Sequence, residues 1–382
     1  MLHFLRSLDP KGLRAGLVTM ALVAGGIVVG SRGLRDYDLA LLPYTFGVLF
    51  ASFTVAYRYA VWLQRPATAV YWSRGWQLIF RKGDVAANLI YLARSVYDNL
   101  FAQKFIKRRN SVRWIAHFCF AWGCVIAGAV TFPLVFGWIH FETRPDDTQW
   151  YRVIVLGMQV QEFHTKSITR YIMFNMLNLS AVMVIVGVVL ALHRRLKDAE
   201  AMARQQFGND IVPLILLLAI SVTGLMLTFS MHALHGYGYP FISLVHALVV
   251  TGTLLYMPFG KFFHIFQRPA QLSVTFYRKA NAASGPAVCA TCGEAFAGAM
   301  HVKDLKEVLA AVDLDWEMPA GAPVRHYADV CPACRRRLFG FNQGRLMGRL
   351  GNSNGPSAGD VGDVMNGAGD DDTPVLRKAT GV

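Results

Sequence analysis

IVPLILLLAISVTGLMLTFSM, residues 211–231, carries no charged side chain. About 20 apolar residues are what an α-helix needs to cross the hydrocarbon of a bilayer. In that solvent a helix or a closed barrel is the only way to satisfy the backbone. Working outward, stretches of the same kind occupy 13–31, 39–62, 112–138, 171–192 and 240–263. Composition agrees: 54% of residues are apolar and 16% are charged, against about 25% charged in soluble domains. The reading is an all-α membrane protein built as a six-span helical bundle. The first apolar run, Ala15–Gly30, lacks an A-x-A-like exit and is followed by further spans. It is therefore expected to be retained and not cleaved as a signal peptide.

The net charge of +14 is distributed by position. Arg6, Lys11 and Arg14 precede the first span, and Lys104, Lys107, Arg108, Arg109 and Arg113 lie between the second and third. Arg194, Arg195 and Lys197 follow the fourth, while Arg268, Arg278 and Lys279 follow the sixth. The alternate loops are balanced or free of charge. By the positive-inside rule the basic loops are cytoplasmic, which predicts a multi-pass protein of the cell's inner membrane with both termini in the cytoplasm. The basicity is then topological, and nucleic acid is excluded as a partner. Residues 1–66 hold the first two spans. Within the cytoplasmic segment 67–110, Val85, Leu89, Leu92, Val96, Leu100 and Phe105 recur at helical spacing among charges. This predicts an amphipathic helix lying on the membrane lipid or docking a partner subunit.

Beyond Phe266 the composition becomes that of a soluble segment. Residues 284–340 contain Cys289-x-x-Cys292-Gly293 and Cys331-Pro332-x-Cys334. Two such knuckles supply four thiolates to one tetrahedral ion, so a small cytoplasmic four-cysteine domain is expected, of zinc-ribbon or rubredoxin-like type. Zinc is the expected metal and iron the alternative, because both accept four thiolates. Cys119 and Cys124 lie in an apolar run, and the usage of all six cysteines suits a reducing compartment. His301 and His326 read as surface residues. Residues 341–382, rich in Gly, Asn, Ser and Asp, read as a disordered tail.

Ionisable groups at bilayer depth are costly and usually functional. His246 and His264 are 18 positions apart in the sixth span (264 − 246). In one continuous helix that is five turns and about 27 Å of rise, with both rings on one face. A two-haem electron carrier needs one axial imidazole per haem from such a helix. His117, near the cytoplasmic end of the third span, is at the depth of His264, and the two are paired around an inner haem. Arg113 and Lys261, one helical turn before their respective histidines, can neutralise haem propionates or serve as interfacial cations. His246 belongs to an outer haem whose second ligand is His235, His232 or His164, with His235 preferred.

The stretch SLVHALVVTGTLLYMPFGKFFHIFQRP, residues 243–269, resembles the last span of the gamma subunit of respiratory nitrate reductases. There too, two histidines 18 apart flank a Pro-Phe pair, here Pro258-Phe259, and an aromatic and a proline close the motif, here Phe266 and Pro269. The run from Asn209 resembles that family's penultimate span. Arg113, His117 and Trp122-Gly123 are similar to the cytochrome b subunits of heterodisulfide-reductase-type complexes. The resemblance covers about residues 39–270 and places a four-helix haem-binding core at 111–270. It implies two b haems, quinol chemistry, and a cytoplasmic iron–sulfur and catalytic partner. One departure matters: Ala127 stands where gamma subunits carry a further histidine, which keeps a single-haem protein open. The extra first span and the cysteine domain are further departures.

The expectation is a membrane b-type cytochrome subunit passing electrons between quinol or quinone and a cytoplasmic iron–sulfur or molybdenum oxidoreductase. No acid–base or nucleophile set is visible, so substrate conversion is expected in partner subunits. The competing class is a non-redox membrane scaffold whose zinc domain recruits a partner.

Overall fold

The computed structural model describes residues 9–346, apart from residues 82, 315 and 318–323. Arg6 and the expected tail beyond residue 346 lie outside the described residues. The main helices are α1 (Pro10–Gly30), α2 (Leu42–Leu63), α3 (Pro66–Ile79), α4 (Val85–Val96), α5 (Ser111–Val135) and α6 (Ile168–Lys197). They continue with α7 (Val212–Ala233), α8 (Tyr239–Tyr256), α9 (Leu272–Ala283), α10 (Ala299–Ala311) and α11 (Pro332–Leu346). Six helices are long and apolar enough to cross a membrane: α1, α2 with the turn before it, α5, α6, α7 with the turn before it, and α8. The chain is a multi-pass membrane protein.

The chain forms two compact units. One joins the residues up to Leu63 with Leu89–Gln271, and the other joins Gln64–Asn88 with the described residues from Leu272 on. In the first unit the spans pair in the spatial order α1, α2, α8, α7, α6, α5. Local signals set their ends. Asp9, Asn110 and Ser167 accept the backbone N–H of Gly12, Arg113 and Arg170, capping α1, α5 and α6, so donors left free in a helix's first turn are satisfied. Arg194, Arg195 and Lys197 occupy the last turn of α6, where cations favour the helix dipole. These charges let α6 run beyond the expected 171–192.

Two departures from the sequence reading shape the site. The sixth span is not one helix. It ends at Tyr256, passes through Met257–Gly260, and resumes as a short helix at His264–Ala270. Pro258 lacks an N–H and crowds the preceding turn, and its carbonyl is taken by the Arg58 guanidinium of α2. His246 and His264 therefore stand on separate helices, and the five-turn relation between them does not hold. The amphipathic stripe is also interrupted: α4 gives way to a wide turn at Tyr97–Phe101, and Gln103 takes a left-handed φ of 51°.

The loop between α5 and α6 is a three-stranded antiparallel meander of β1 (Ile139–Thr143), β2 (Trp150–Val155) and β3 (Met158–His164). Phe141, Tyr151 and Phe163 gather against Phe174 of α6. Strands β2 and β3 are joined by a two-residue turn, Leu156-Gly157, with both φ positive (50° and 83°). The second unit packs α3 against α9 and α10, so a helix that sequence grouped with the amphipathic segment belongs with the cysteine domain. The Arg74 guanidinium of α3 holds Asp304 of α10 at 3.1 Å, and that carboxylate side chain is 3% exposed. Helix α11 continues to Leu346, past the boundary expected at residue 340.

Helices α5 and α6 approach most closely at glycines. A Cβ on Gly123 would lie 2.8 Å from the Ser180 carbonyl oxygen, and one on Gly187 would lie 2.7 Å from that of Ala116. Backbone cannot retreat as a flexible side chain does, and small residues at such crossings are what allow membrane helices to associate. Gly123→Val should destabilise the protein by about 1–3 kcal/mol through overpacking, whereas Gly252→Ala, which meets nothing within 4 Å, should be tolerated. Thermal unfolding of both variants in detergent checks this; equal midpoints would show that the contact is not tight.

Candidate functional site

The cysteine site is built from two knuckles. Strands β4 (Pro286–Val288) and β5 (Ala295–Gly298) bracket the first, whose turn closes with Gly293 at φ 74° and its N–H on the Cys289 carbonyl at 3.0 Å. The second follows a 3-10 turn at Tyr327–Asp329 and enters α11 at Pro332. Backbone bonds join them: Ala290 N–H to the Asp329 carbonyl at 2.9 Å and Cys331 N–H to Cys289 Sγ at 3.2 Å. Val324 and Val330 are buried with Cys289, Cys331 and Cys334, and Phe296 and Leu338 complete this small core.

All four sulfurs lie within 4.8 Å of one another, and Cys292 Sγ is 3.8 Å from Cys331 Sγ. Four sulfurs about 2.3 Å from a central ion at tetrahedral angles are about 3.8 Å apart, so the set fits a zinc or iron ion. Burial, then the sulfurs of Cys331, Cys292 and Cys289, push the Cys334 thiol up to about 12. Burial pushes Cys289 up too, but N–H bonds from Cys331, Cys292 and Thr291 outweigh it and bring that thiol down to about 6. Those N–H bonds favour the thiolate form of Cys289, and a divalent ion would favour the thiolate form of the other cysteines against their burial.

Two residues that support the knuckles escaped the sequence reading. Arg335 donates from Nε to the Val330 carbonyl at 2.7 Å and from Nη2 to that of Ala328 at 3.2 Å, with its guanidinium over Tyr327. His326, read as a surface residue, is 7% exposed, and its Nδ1 accepts the Ala328 N–H at 2.9 Å. A ring that caps a turn from inside a small domain leaves no periodic signal. His301 is half-buried, edge-on to Tyr277.

In the membrane unit, three side chains on one face of α5 clasp the interrupted stripe. The indoles of Trp122 and Trp114 donate to the carbonyls of Phe101 and Ala102 at 3.2 and 2.9 Å. His117 Nδ1 donates to Gln103 Oε1 at 2.7 Å. Gln103 is buried, and with the amide oxygen accepting, the His117 proton sits on Nδ1 and the Nε2 lone pair is left available. His264 has the same form, its Nδ1 donating to the Lys261 carbonyl. His117 lies near enough to His264 and Arg268 for both charges to act on it.

His246 is held by Thr223 of α7, with Oγ1 2.8 Å from Nδ1. With that hydroxyl's proton on the Ala219 carbonyl at 2.6 Å, Nδ1 is the donor and Nε2 carries the lone pair. His235 sits in the exposed turn between α7 and α8 at φ 51°. His232 Nδ1 donates to the Thr228 carbonyl at 2.9 Å. Both ring nitrogens of His164 are engaged, by Gln149 at 3.1 Å and the Lys166 N–H at 3.1 Å. The two candidate propionate cations already have carboxylate partners: Arg113 is 3.9 Å from Asp198, and Lys261 bonds Asp210. Gln103 and Thr223 went unseen because each acts across a gap in sequence that no motif records.

No family model, no curated protein and no solved structure matches the chain.

Cys289→Ser should cut the bound metal at least tenfold, and Arg335→Ala, which loosens the second knuckle without removing a sulfur, should cut it less. Metal content of the purified full chain by mass spectrometry checks the order. Protein that binds neither zinc nor iron would contradict the four-thiolate reading.

Proposed function

We propose that the chain is a membrane b-type cytochrome subunit, passing electrons between quinol or quinone in the bilayer and an iron–sulfur or molybdenum oxidoreductase on the cytoplasmic side. The observation that carries this reading is the pair His117 and His264. They come from different helices, lie within electrostatic reach of each other, and each has its Nδ1 proton committed to a protein oxygen. Haem ligation uses a neutral imidazole through one nitrogen while the other donates to a protein acceptor. A bound b haem would supply reversible one-electron transfer.

The chain's own residues divide the remaining work. Gln103 and the Lys261 carbonyl fix the two rings against rotation. The half-buried setting of both histidines limits water around them. His246, with its ring set by Thr223 and its Nε2 uncommitted, is the ligand assigned to a second haem, and His235 is the partner proposed from the exposed turn. The four-cysteine domain takes zinc as a structural ion, or iron in the alternative, and presents a surface to the soluble partner. Substrate conversion belongs to that partner.

The reduced-minus-oxidised visible spectrum of the detergent-purified full chain tests the proposal. Bands of a b-type cytochrome are expected, and a colourless protein would favour the scaffold reading. His117→Ala and His264→Ala should each abolish one haem, and Gln103→Leu should weaken haem retention about 10–100-fold, the usual range for loss of a ligand's outer hydrogen bond. Haem content unchanged in both histidine variants would reject the pairing. If His246→Ala keeps the full haem-to-protein ratio, the protein holds a single haem.

A further inference from the structure

Arg268 stands out among the cations of the membrane unit. It belongs to the short helix His264–Ala270, one turn after His264. Its guanidinium lies over the Phe105 ring at 4.8 Å, and its one side-chain hydrogen bond, a long one at 3.3 Å, goes to Gln271 Oε1. It is half-buried, and among the described residues it has no carboxylate partner. Its neighbours differ. Arg113 and Arg194 share Asp198, Arg195 and Lys261 share Asp210, and Lys104 has Asp98.

What surrounds Arg268 is more positive charge. Arg109 is close enough that its charge, after burial, opposes that of Arg268, and it too lacks a carboxylate among the described residues. The charge of Arg268 acts in turn on both His117 and His264. A half-buried guanidinium without a counter-ion is costly. Arg268, with the exposed Arg109 near it, makes a place beside His117 and His264 where an anion would be held. The acids that could have filled it, Asp198 and Asp210, are engaged by other cations.

We propose that Arg268 and Arg109 form the seat for the carboxylate groups of the haem that His117 and His264 hold, in place of Arg113 and Lys261. This inference rests on the cytochrome reading and refines it. It also explains why the segment 101–109 folds back toward α5: the clasp that sets Gln103 on His117 carries Phe105 and Arg109 with it, so one short stretch supplies ring orientation, an aromatic support for Arg268 and a second cation. The anion could instead be a lipid phosphate, since both arginines flank membrane spans.

The test uses the full-length, haem-loaded protein in nanodiscs. Arg268→Gln and Arg109→Gln are each titrated potentiometrically, loaded either with protohaem or with its dimethyl ester, whose carboxylates are uncharged. Loss of a cation beside a haem carboxylate favours the ferric state, so with protohaem both variants should titrate at lower potential than the parent. Arg268→Lys should recover most of the difference. With the ester, parent and variants should coincide. A shift that persists with the ester, or one that depends on anionic lipid in the disc, would overturn the proposal in favour of a general field or a lipid phosphate. Potentials and haem content equal to the parent in both variants would also overturn it. A parent protein that binds no haem would instead remove the cytochrome reading itself.

Discussion

A peptide group carried into hydrocarbon loses its water, and each unpaired N–H or C=O there costs several kcal/mol. Most of this structure follows from that demand. It makes each apolar run a helix, and it explains the caps on α1, α5 and α6, where Asp9, Asn110 and Ser167 take up donors that the helices leave free. It also decides where a span can break. The sixth span stops at Pro258, and the carbonyl exposed there is met by Arg58 from α2. A second break, at residues 101–103, has its two carbonyls taken by Trp122 and Trp114. Both interruptions exist because a neighbouring helix supplies the missing partner.

Those two breaks set the surroundings of His117 and His264. Were the sixth span continuous, His264 would follow the line of α8; instead it opens a new short helix, with its ring bonded to the carbonyl of Lys261. Were the amphipathic stripe continuous, Gln103 would have no reason to turn inward. Its left-handed backbone, uncommon for a residue other than glycine, is held by the same clasp of tryptophans that brings its amide to His117. The irregular backbone lies where function is proposed, and the regular helices serve as its frame.

The cysteine domain meets the same accounting with different means. It is too small to rely on a large core, and its buried cluster consists of cysteines and a few aliphatic and aromatic side chains. The N–H groups directed at the sulfurs, the guanidinium of Arg335 on two carbonyls and the His326 ring on the Ala328 N–H hold the knuckles in register. Four sulfurs so placed fit one tetrahedral ion. The packing of α3 onto α9 and α10, locked by Arg74 and Asp304, gives this unit a base that local sequence does not disclose.

The sequence by itself determined the six spans, because length and apolarity suffice when the solvent is hydrocarbon, and the four-cysteine site, because two paired knuckles leave few other geometries. The helical relation that it implied between His264 and His246 fails, because the sixth span breaks at Pro258. The meander between α5 and α6 leaves little trace in the sequence, because its turn, Leu156-Gly157, places a leucine at positive φ where Asn, Asp or Gly would mark a hairpin. Tertiary structure alone decided the partners of the polar atoms: Gln103 on His117, Thr223 on His246, Asp198 and Asp210 on Arg113 and Lys261, and Arg268 left without a carboxylate among the described residues. Such pairings join residues far apart in the chain through single hydrogen bonds. They have no period and no spacing rule, so they exist only once the helices are side by side.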